Sequence, residues 1–373
     1  MSKIRYLCLT GLALSLAACT QTPAPTAQSS AQPSQGIAAP VVGSGAAPQP
    51  SPFDSSLKPQ MAFGDCTVTP ARVRVTLRPG ASTQVSKNIC IPTFPDKLDF
   101  MLVVDNTGSY GDDIFHLKST GGNLAWAMAN GIRNAPGNVT DSVFGLAGFN
   151  DFPATPYNLH QQLTFSIPDF VSAVDVMTAS GGGDIPEAQY EAFYQAATGA
   201  GRPNPGAVAA GQGAAWRPNA TRIIALTTDA TFHNSDTELG YPGIGKNATI
   251  AALVAQKVQV IGIKAPGTGS ELDDIVAATG GAITTTTASS SNIVTAVLGA
   301  LANVKYGLTA TPNADCPITF SYAPPAPQVP SGTTYVWNET ITAPSAVGDY
   351  TCTVDFHAGA ALLGTQQVTV RVR

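Results

Sequence analysis

The sequence predicts an α/β domain with a doubly wound, mostly parallel sheet, inserted into an all-β sandwich. Three observations lead to this prediction. Apolar strand-like segments alternate with helix-like segments between residues 98 and 304, whereas residues 61–97 and 305–373 show short alternating strands. Residues 61–97, the first flank, are predicted to form a hairpin that has no sheet of its own to join. Both flanks are therefore expected to share one sandwich. Unbroken apolar strands between helices are typical of a parallel sheet covered on both faces.

Length and charge limit the possibilities further. A chain of 373 residues is too long for one ordinary core, so two folded units with extensions are expected. Only 12% of the residues are charged, the net charge is -5, and no run of lysine and arginine occurs. These features argue against nucleic-acid binding.

The N-terminus indicates export. Lys3 and Arg5 precede an apolar run from Leu7 to Leu16, which is shorter than a membrane span and typical of a secretory signal. The run ends in LAAC, which resembles a bacterial lipobox and implies that residues 1–19 are a signal ending in a lipidated Cys19. An ordinary signal peptide with an incidental cysteine is the alternative. We therefore expect a lipid-anchored protein of the bacterial envelope, at the outer membrane or cell surface.

Residues 20–60 form a linker in this interpretation. They are mainly Pro, Ala, Ser, Gln and Gly, with almost no large apolar side chain to bury. A flexible chain of this length averages about 35 Å end to end. The linker could hold a domain clear of a membrane.

The flanks carry the cysteines. With Cys8 and Cys19 assigned to the signal, an even set of four remains in an exported protein, which suggests two disulfides. The remaining four are Cys66, Cys90, Cys316 and Cys352. Three pairings are possible, and we favour the two in which both cysteines belong to one sequence block, namely 66 with 90 and 316 with 352. Tyr350, two residues before the last cysteine, is placed as in the tyrosine corner of immunoglobulin-like sandwiches.

Oxygen-bearing side chains cluster where predicted strands end. Asp105 ends the strand FMLVVD, and Thr107 and Ser109 follow at two-residue steps. Asp229 ends the strand TRIIALTTD, and Glu187 begins a helix after GGGDIP. The carboxyl ends of parallel strands meet at one edge, so these five groups are expected to converge. Alone, Asp105 could be a turn or cap residue. Together, the set favours Mg²⁺ or Mn²⁺ with one position open to a partner's carboxylate.

In order and spacing, these segments resemble the von Willebrand factor A fold, and within it the I-like (βI) domain of integrin β subunits with its hybrid domain. The resemblance covers about residues 68–304. It rests on DNTGSYGDDI, GDIPEAQYEAFYQAA, TRIIALTTDATFH and SSSNIVTAV, and on the hairpin VRVTLRPG, which is similar to the preceding hybrid-domain strand.

The resemblance implies three neighbouring metal sites. The central Mg²⁺ site would use Asp105, Thr107, Ser109, Glu187 and Asp229. The adjacent Ca²⁺ site would use the Ser109 carbonyl, Asp112 and Asp113. The third, also for Ca²⁺, would use Asp151, Asp184, the Pro186 carbonyl and Glu187. The acidic pair at 112 and 113 could instead favour a helix N-terminus.

Three departures from the family are evident. Gly182, which has no side-chain oxygen, stands near the family's third-site Asn. Residues 152–183 are shorter than the family's specificity loop and lack its cysteines. The basic residue that engages an integrin α subunit has no match, with Glu238 nearby, so no α-type partner is inferred.

The expected function is metal-dependent binding of an acidic group on a protein, without catalysis. A structural envelope protein with a fold-stabilising metal is the alternative. DNTGS also resembles the D-K-T-G-T of phosphotransferases, but Thr107 stands where a second Asp is usual. Ser109 lacks a nucleophile-elbow setting, and His116 and His233 can be surface or capping residues. Four glycosylation motifs, at Asn138, Asn219, Asn247 and Asn338, carry little weight in a bacterial lipoprotein.

Overall fold

The computed structural model describes residues 67–135 and 139–373. The strands are β1 (Val68–Thr69), β2 (Arg72–Leu77), β3 (Ser82–Ile91), β4 (Lys97–Asp105), β5 (Asp141–Phe149), β6 (Asn158–Thr164), β7 (Thr221–Thr228), β8 (Val258–Lys264), β9 (Ala282–Thr285), β10 (Lys305–Pro312), β11 (Thr319–Ala323), β12 (Gln328–Pro330), β13 (Thr333–Thr342), β14 (Gly348–Ala358) and β15 (Ala361–Val372). The helices are α1 (Gly111–Leu117), α2 (Leu124–Arg133), α3 (Ile167–Asp175), α4 (Gln189–Thr198), α5 (Lys246–Ala255), α6 (Glu271–Thr279) and α7 (Ile293–Leu301).

Six strands form the predicted α/β sheet, in the order β6-β5-β4-β7-β8-β9. All neighbours are parallel except β6, which runs antiparallel to β5. On β4, Phe100 and Leu102 belong to one apolar cluster, and Met101 and Val103 belong to another. Because successive side chains of a strand point to opposite faces, the sheet is buried on both sides. The α/β class with a mostly parallel sheet is confirmed.

β4 lies where the strand order reverses. The sheet continues from β4 to β5 and β6 on one side, and to β7, β8 and β9 on the other. Crevices at such switch points, beyond the carboxyl ends of the strands, are where open α/β sheets bind ligands. Asp105 is the last residue of β4, so it lies at this edge.

Some elements differ from the prediction. The helix-like stretch from His116 to Ile132 is broken into α1 and α2. A Cβ on Gly121 would come within 1.9 Å of the Phe115 carbonyl oxygen, and Asn123 has a φ of 53°. The chain therefore turns tightly where a continuous helix was expected. The edge strand β6 was not predicted, because its sequence NLHQQLT lacks an apolar run.

The strands outside this region form two further sheets, with orders β1-β3-β13-β11 and β12-β10-β14-β15-β2. β3 pairs antiparallel with β13, and β2 pairs parallel with β15. Both sheets thus combine strands that precede β4 with strands that follow α7. The Tyr350 hydroxyl donates to the Ala346 carbonyl at 3.0 Å, as in a tyrosine corner.

One expected disulfide is confirmed: Cys316 and Cys352 are bonded, with their Cα atoms 5.4 Å apart. Cys90 is also disulfide-bonded. Its expected partner, Cys66, lies outside the described residues, as do the signal, Cys19, the linker and Asn138. Within the described ranges, no helix is both long and apolar enough to cross a bilayer.

The two parts of the chain share one apolar core. The cluster that covers one face of the α/β sheet also includes Val304, Leu308, Trp337 and Phe356 from the β-rich part. Backbone bonds reinforce this junction, because Ser331 and Gly332 donate to the carbonyls at 304 and 92 at 3.0 and 3.2 Å. The α/β region is therefore held at both of its ends.

A buried ion pair joins β3 to β13. Lys87 Nζ lies 2.8 Å from Glu339 Oε2, and both side chains are fully buried. The Tyr322 hydroxyl donates to the other carboxylate oxygen at 2.9 Å. Burial lowers the pKa of Lys87, while the contact with Glu339 opposes that shift.

Removing one partner of this pair should be more damaging than removing both. Lys87→Met leaves a buried carboxylate without its cation, and we expect the free energy of unfolding to fall by about 3 kcal/mol. The double variant Lys87→Met/Glu339→Leu should recover most of the loss. Urea denaturation of the three proteins tests this, and equal losses in single and double variants would contradict it.

Candidate metal-ion site

Asp105 is held rigidly by hydrogen bonds to both carboxylate oxygens. Oδ1 accepts from the backbone N–H of Thr107 at 2.9 Å and from its hydroxyl at 2.7 Å. Oδ2 accepts from the Thr228 hydroxyl at 2.6 Å. Asp105 is fully buried, and its donors come from the loop after β4 and from the end of β7. The carboxylate is thus fixed between two neighbouring strands.

A chain of oxygen atoms leads from Asp105 to the surface. The Thr107 and Ser109 hydroxyl oxygens lie 3.2 Å apart, and the Ser109 hydroxyl donates to Asp229 Oδ1 at 3.1 Å. Thr107 is buried, Asp229 is partly exposed and Ser109 is exposed. Four of the five residues predicted for the central site therefore belong to one contiguous network.

Glu187 reaches the same crevice from another segment. Its N–H donates to the Thr231 carbonyl at 3.0 Å, and its carbonyl accepts from the His233 N–H at 2.9 Å, which attaches it to the chain following Asp229. The side chain is 2% exposed, and its Oε2 has no hydrogen-bond partner among the described residues. A Cβ built on Gly182 would lie 2.9 Å from Glu187 Oε1 and 3.2 Å from Thr107 Cβ. The fifth predicted ligand and the Thr107 side chain therefore both lie close to Gly182.

The carboxylates of the crevice repel one another. Burial raises the pKa of Asp105 to about 6, with Asp229 adding to the shift. Burial raises the pKa of Glu187 to about 8, and the charges of Asp105, Asp151, Asp184 and Asp229 add to it. A cation in the crevice would relieve this repulsion.

The donor set fits a hard cation. Carboxylate and hydroxyl oxygens are the ligands that Mg²⁺ and Mn²⁺ accept, and the unpartnered Glu187 Oε2 supplies a buried acceptor with no protein donor. Within the described ranges, no group of three or more His, Cys, Asp or Glu side chains has metal-ligand geometry. A site here thus depends on the hydroxyls of Thr107 and Ser109 as well as on carboxylates.

The two aspartates expected at the adjacent calcium site differ in burial. Asp112 is exposed, whereas Asp113 is 2% exposed and its Oδ1 has no hydrogen-bond partner in the described part of the chain. Burial raises the pKa of Asp113 to about 6, and a hydrogen bond with Ser290 opposes the shift. The structure therefore places one carboxylate of the pair inside and the other at the surface.

At the predicted third site, Asp151 already contacts protein groups. The Tyr241 hydroxyl donates to Asp151 Oδ1 at 3.4 Å, and His233 Nε2 lies 3.6 Å from Oδ2. The opposite nitrogen of His233 lies 2.5 Å from Glu238 Oε2, and the imidazole stacks on the Tyr241 ring with centroids 4.3 Å apart. Asp184 is exposed.

The glycine that departs from the family pattern has a steric role. Gly182 has a φ of +80°, and a side chain there would crowd Glu187 and Thr107. Because residue 182 has no side chain, its backbone can lie close to the residues of the central site. The same absence removes the side-chain oxygen that the family has near this position.

Sequence reasoning missed Asn150 and Thr228. The Asn150 amide donates to the Asn106 carbonyl at 3.3 Å and to the Ser180 carbonyl, and its Oδ1 accepts from Gly182 N–H at 2.9 Å. Asn150 thereby connects the loop after β4 to the loop that contains Ser180 and Gly182. Asn150 directly follows β5, so the rule that led to Asp105 could have found it. Thr228, whose hydroxyl donates to Asp105, could have been found in the same way, because it immediately precedes the predicted ligand Asp229.

Comparison with known proteins gives partial likenesses. No protein-family model matches the chain. Human integrin beta-4 is 24% identical over 187 residues, covering 44% of this chain and 9% of that protein. The chain therefore spans about a tenth of the length of that relative.

Two solved structures are similar at 13% identity. A von Willebrand factor type A protein from Catenulispora acidiphila has a TM-score of 0.40, covering 80% of this chain and 71% of the other. The ArnB paralog VWA2 from Sulfolobus acidocaldarius has a TM-score of 0.36, covering 83% of this chain and 75% of the other.

Without metal, stability should fall as pH rises. The folded-state pKa values of Asp105 and Glu187, about 6 and about 8, lie above their ordinary values. The stability that these two protonated carboxyl groups contribute is fully present below their ordinary pKa values, at about pH 4. It is lost as the pH rises through their folded-state pKa values. In chelator, the free energy of unfolding should drop by at least about 1.4 kcal/mol between pH 5 and pH 8.

Glu187→Gln should reduce that drop, because the amide does not titrate. Urea denaturation at the two pH values measures it. A metal-stripped protein that is more stable at pH 8 than at pH 5, with no effect of the substitution, would contradict the prediction.

Proposed function

We propose that this chain is a bacterial envelope lipoprotein whose α/β domain binds Mg²⁺ or Mn²⁺ and, through it, an acidic residue of a protein partner. The observation that carries the proposal is the oxygen network from buried Asp105 to exposed Ser109, beside the unpartnered oxygen of Glu187. A cation held there would lie at the surface edge of the sheet, within reach of a partner's carboxylate.

Each central residue has a defined role. Asp105 and Glu187 supply buried negative charge, and Thr107 supplies a hydroxyl that donates to Asp105. Ser109 and Asp229 form the outer side of the site. When bound, the ion would attract a carboxylate into an open position, and the chain itself would orient that carboxylate without reacting with it.

Ca²⁺ at the neighbouring positions is a further part of the proposal. Asp113 offers an unpartnered buried oxygen for the adjacent site, with Asp112 and the Ser109 carbonyl as the expected co-ligands. At the third site, the contacts of His233 and Tyr241 with Asp151 compete with an ion. We propose that this third site contributes least.

The β-rich part supports the domain in this proposal. We regard it as an immunoglobulin-like sandwich, on the strength of the tyrosine-corner contact and the Cys316–Cys352 bond. The linker and a lipidated Cys19 would connect it to the membrane. The partial likeness to integrin beta-4 supports an adhesive role, whereas the missing basic residue gives no reason to propose an α-type partner.

A binding role accounts for the site better than catalysis. Phosphotransferases of the D-K-T-G-T type usually carry a second Asp where this chain has Thr107, whose hydroxyl donates to Asp105 Oδ1 at 2.7 Å, so the crevice lacks that acid/base partner. The Ser109 hydroxyl contacts Thr107 and Asp229, and the described contacts give it no histidine base. A purely structural metal is the second candidate, favoured by the burial of Asp105 between β4 and β7.

Cation binding can be tested on residues 20–373, a soluble form without the signal and Cys19, after metal removal. We expect saturable binding of Mg²⁺ or Mn²⁺ by calorimetry, lost in Asp105→Ala and weakened about tenfold in Thr228→Val, which removes a hydroxyl that orients the ligand. Asp315→Ala, at an exposed position away from the crevice, is the control. Binding that is indifferent to Asp105 would refute the site.

The bridge to a partner needs a second measurement. A partner protein that the immobilised chain captures in the presence of Mg²⁺ should be released when a chelator is added. The Asp105→Ala variant should not capture it. Saturable Mg²⁺ binding that stabilises the fold, together with capture that ignores chelator, would favour the structural role.

Lipidation is tested separately. Cells fed a labelled fatty acid should incorporate the label into the wild-type chain, and Cys19→Ala should abolish incorporation. Label retained in the variant would exclude Cys19 as the anchor.

A further inference from the structure

The outer face of the β2–β15 edge is basic. Arg72, Arg74 and Thr76 are exposed on β2, while Val73 packs into the core between the two β-rich sheets. β15 runs parallel to β2, with Thr369 opposite Arg74 and Arg371 opposite Thr76. Two arginines thus lie diagonally across neighbouring strands, each facing a threonine.

These four side chains line a groove. A cavity of about 320 Å³ is bounded by Arg74, Val75, Thr76, Thr369 and Arg371. Guanidinium groups and hydroxyls that converge from two strands are the donors that recognise phosphate oxygens. The groove therefore has the chemistry of an anion site.

The arginines on β2 are available for a ligand. Arg72, Arg74 and Arg78 make no ion pair with any residue in the described ranges. Arg371 is engaged by Asp349, at 2.8 and 3.1 Å. The positive charge is therefore concentrated towards β2, an edge strand of its sheet within the described part of the chain.

Of the acidic groups on this sheet face, Asp349 pairs with Arg371, whereas Arg72 and Arg74 have no ion pair among the described residues. Asp355 lies on β14 and accepts a hydrogen bond from Thr365 at 2.5 Å, near the other end of β15. The whole chain carries a net charge of -5, so a cluster of unpaired arginines contrasts with the remainder of the molecule. A row of unpaired basic side chains attracts anions to that edge, and an anionic membrane offers phosphate groups over its whole surface.

We propose that this arginine edge, defined as Arg72, Arg74 and Arg371, binds phosphate groups of anionic lipid headgroups and lays the β-rich part against a membrane surface. The position of the edge supports this source of phosphate. The chain outside the described residues enters at Thr67, five residues before Arg72. The lipid anchor of the proposed function would tether the edge to the bilayer through a linker of about 35 Å, which permits contact with the membrane as well as separation from it. The proposal does not involve the metal site.

The test uses residues 20–373, which carry neither the signal nor the expected acylated cysteine, so that any membrane binding comes from the protein itself. It should sediment with vesicles of phosphatidylcholine and phosphatidylglycerol, but not with phosphatidylcholine alone. Arg72→Gln/Arg74→Gln should weaken vesicle binding about fivefold per arginine, and raised salt should release the protein. Lys305→Gln, which removes an exposed charge from β10 of the same sheet, should have little effect.

Three results would overturn the proposal. One is equal vesicle binding by the arginine variant and the Lys305→Gln control. Another is saturable binding of inorganic phosphate without any binding to vesicles, which would indicate a small-anion site. The third is binding to duplex DNA at least as tight as to vesicles. Thermal unfolding of each variant establishes that its fold is intact.

Discussion

The hydrogen bonds from Thr107 and Thr228 to Asp105 are the constraint on which the site depends. They hold a buried carboxylate between β4 and β7, at the point where the strand order reverses. A buried carboxylate is costly unless its oxygens are paired, so these hydroxyls make the negative charge tolerable at the sheet edge. Ser109, Asp229 and Glu187 can then share one crevice with a fixed centre.

Much of the α/β region was predictable because its strands are apolar throughout and its site residues follow strand ends. The break between α1 and α2 was not, because it depends on a close backbone approach at Gly121. Asn150 was missed although it obeys the same strand-end rule, since an amide after an apolar strand also suits an ordinary turn. The contacts of His233 with Asp151 and Glu238 join two loops, and the contact with Asp151 has no local sequence signal.

The arginine edge shows a related limit of sequence reasoning. Alternation on β2 predicts that Arg72 and Arg74 share a face, but Arg371 joins them only through a parallel pairing with β15. A search for runs of basic residues finds none, because the charges come from opposite ends of the described chain. Strand pairing therefore creates an electrostatic feature that composition hides.

The attachment of residues 92 and 304 to the consecutive residues Ser331 and Gly332 affects how the chain folds. Pairing β3 with β13 before the intervening segment folds would close a loop on the order of 200 residues, at an entropic cost of about 5 kcal/mol. A folded α/β region brings its ends together and removes most of that cost. The two β-rich sheets should therefore assemble late. A substitution that damages the α/β core would slow their assembly even though none of their own residues is changed.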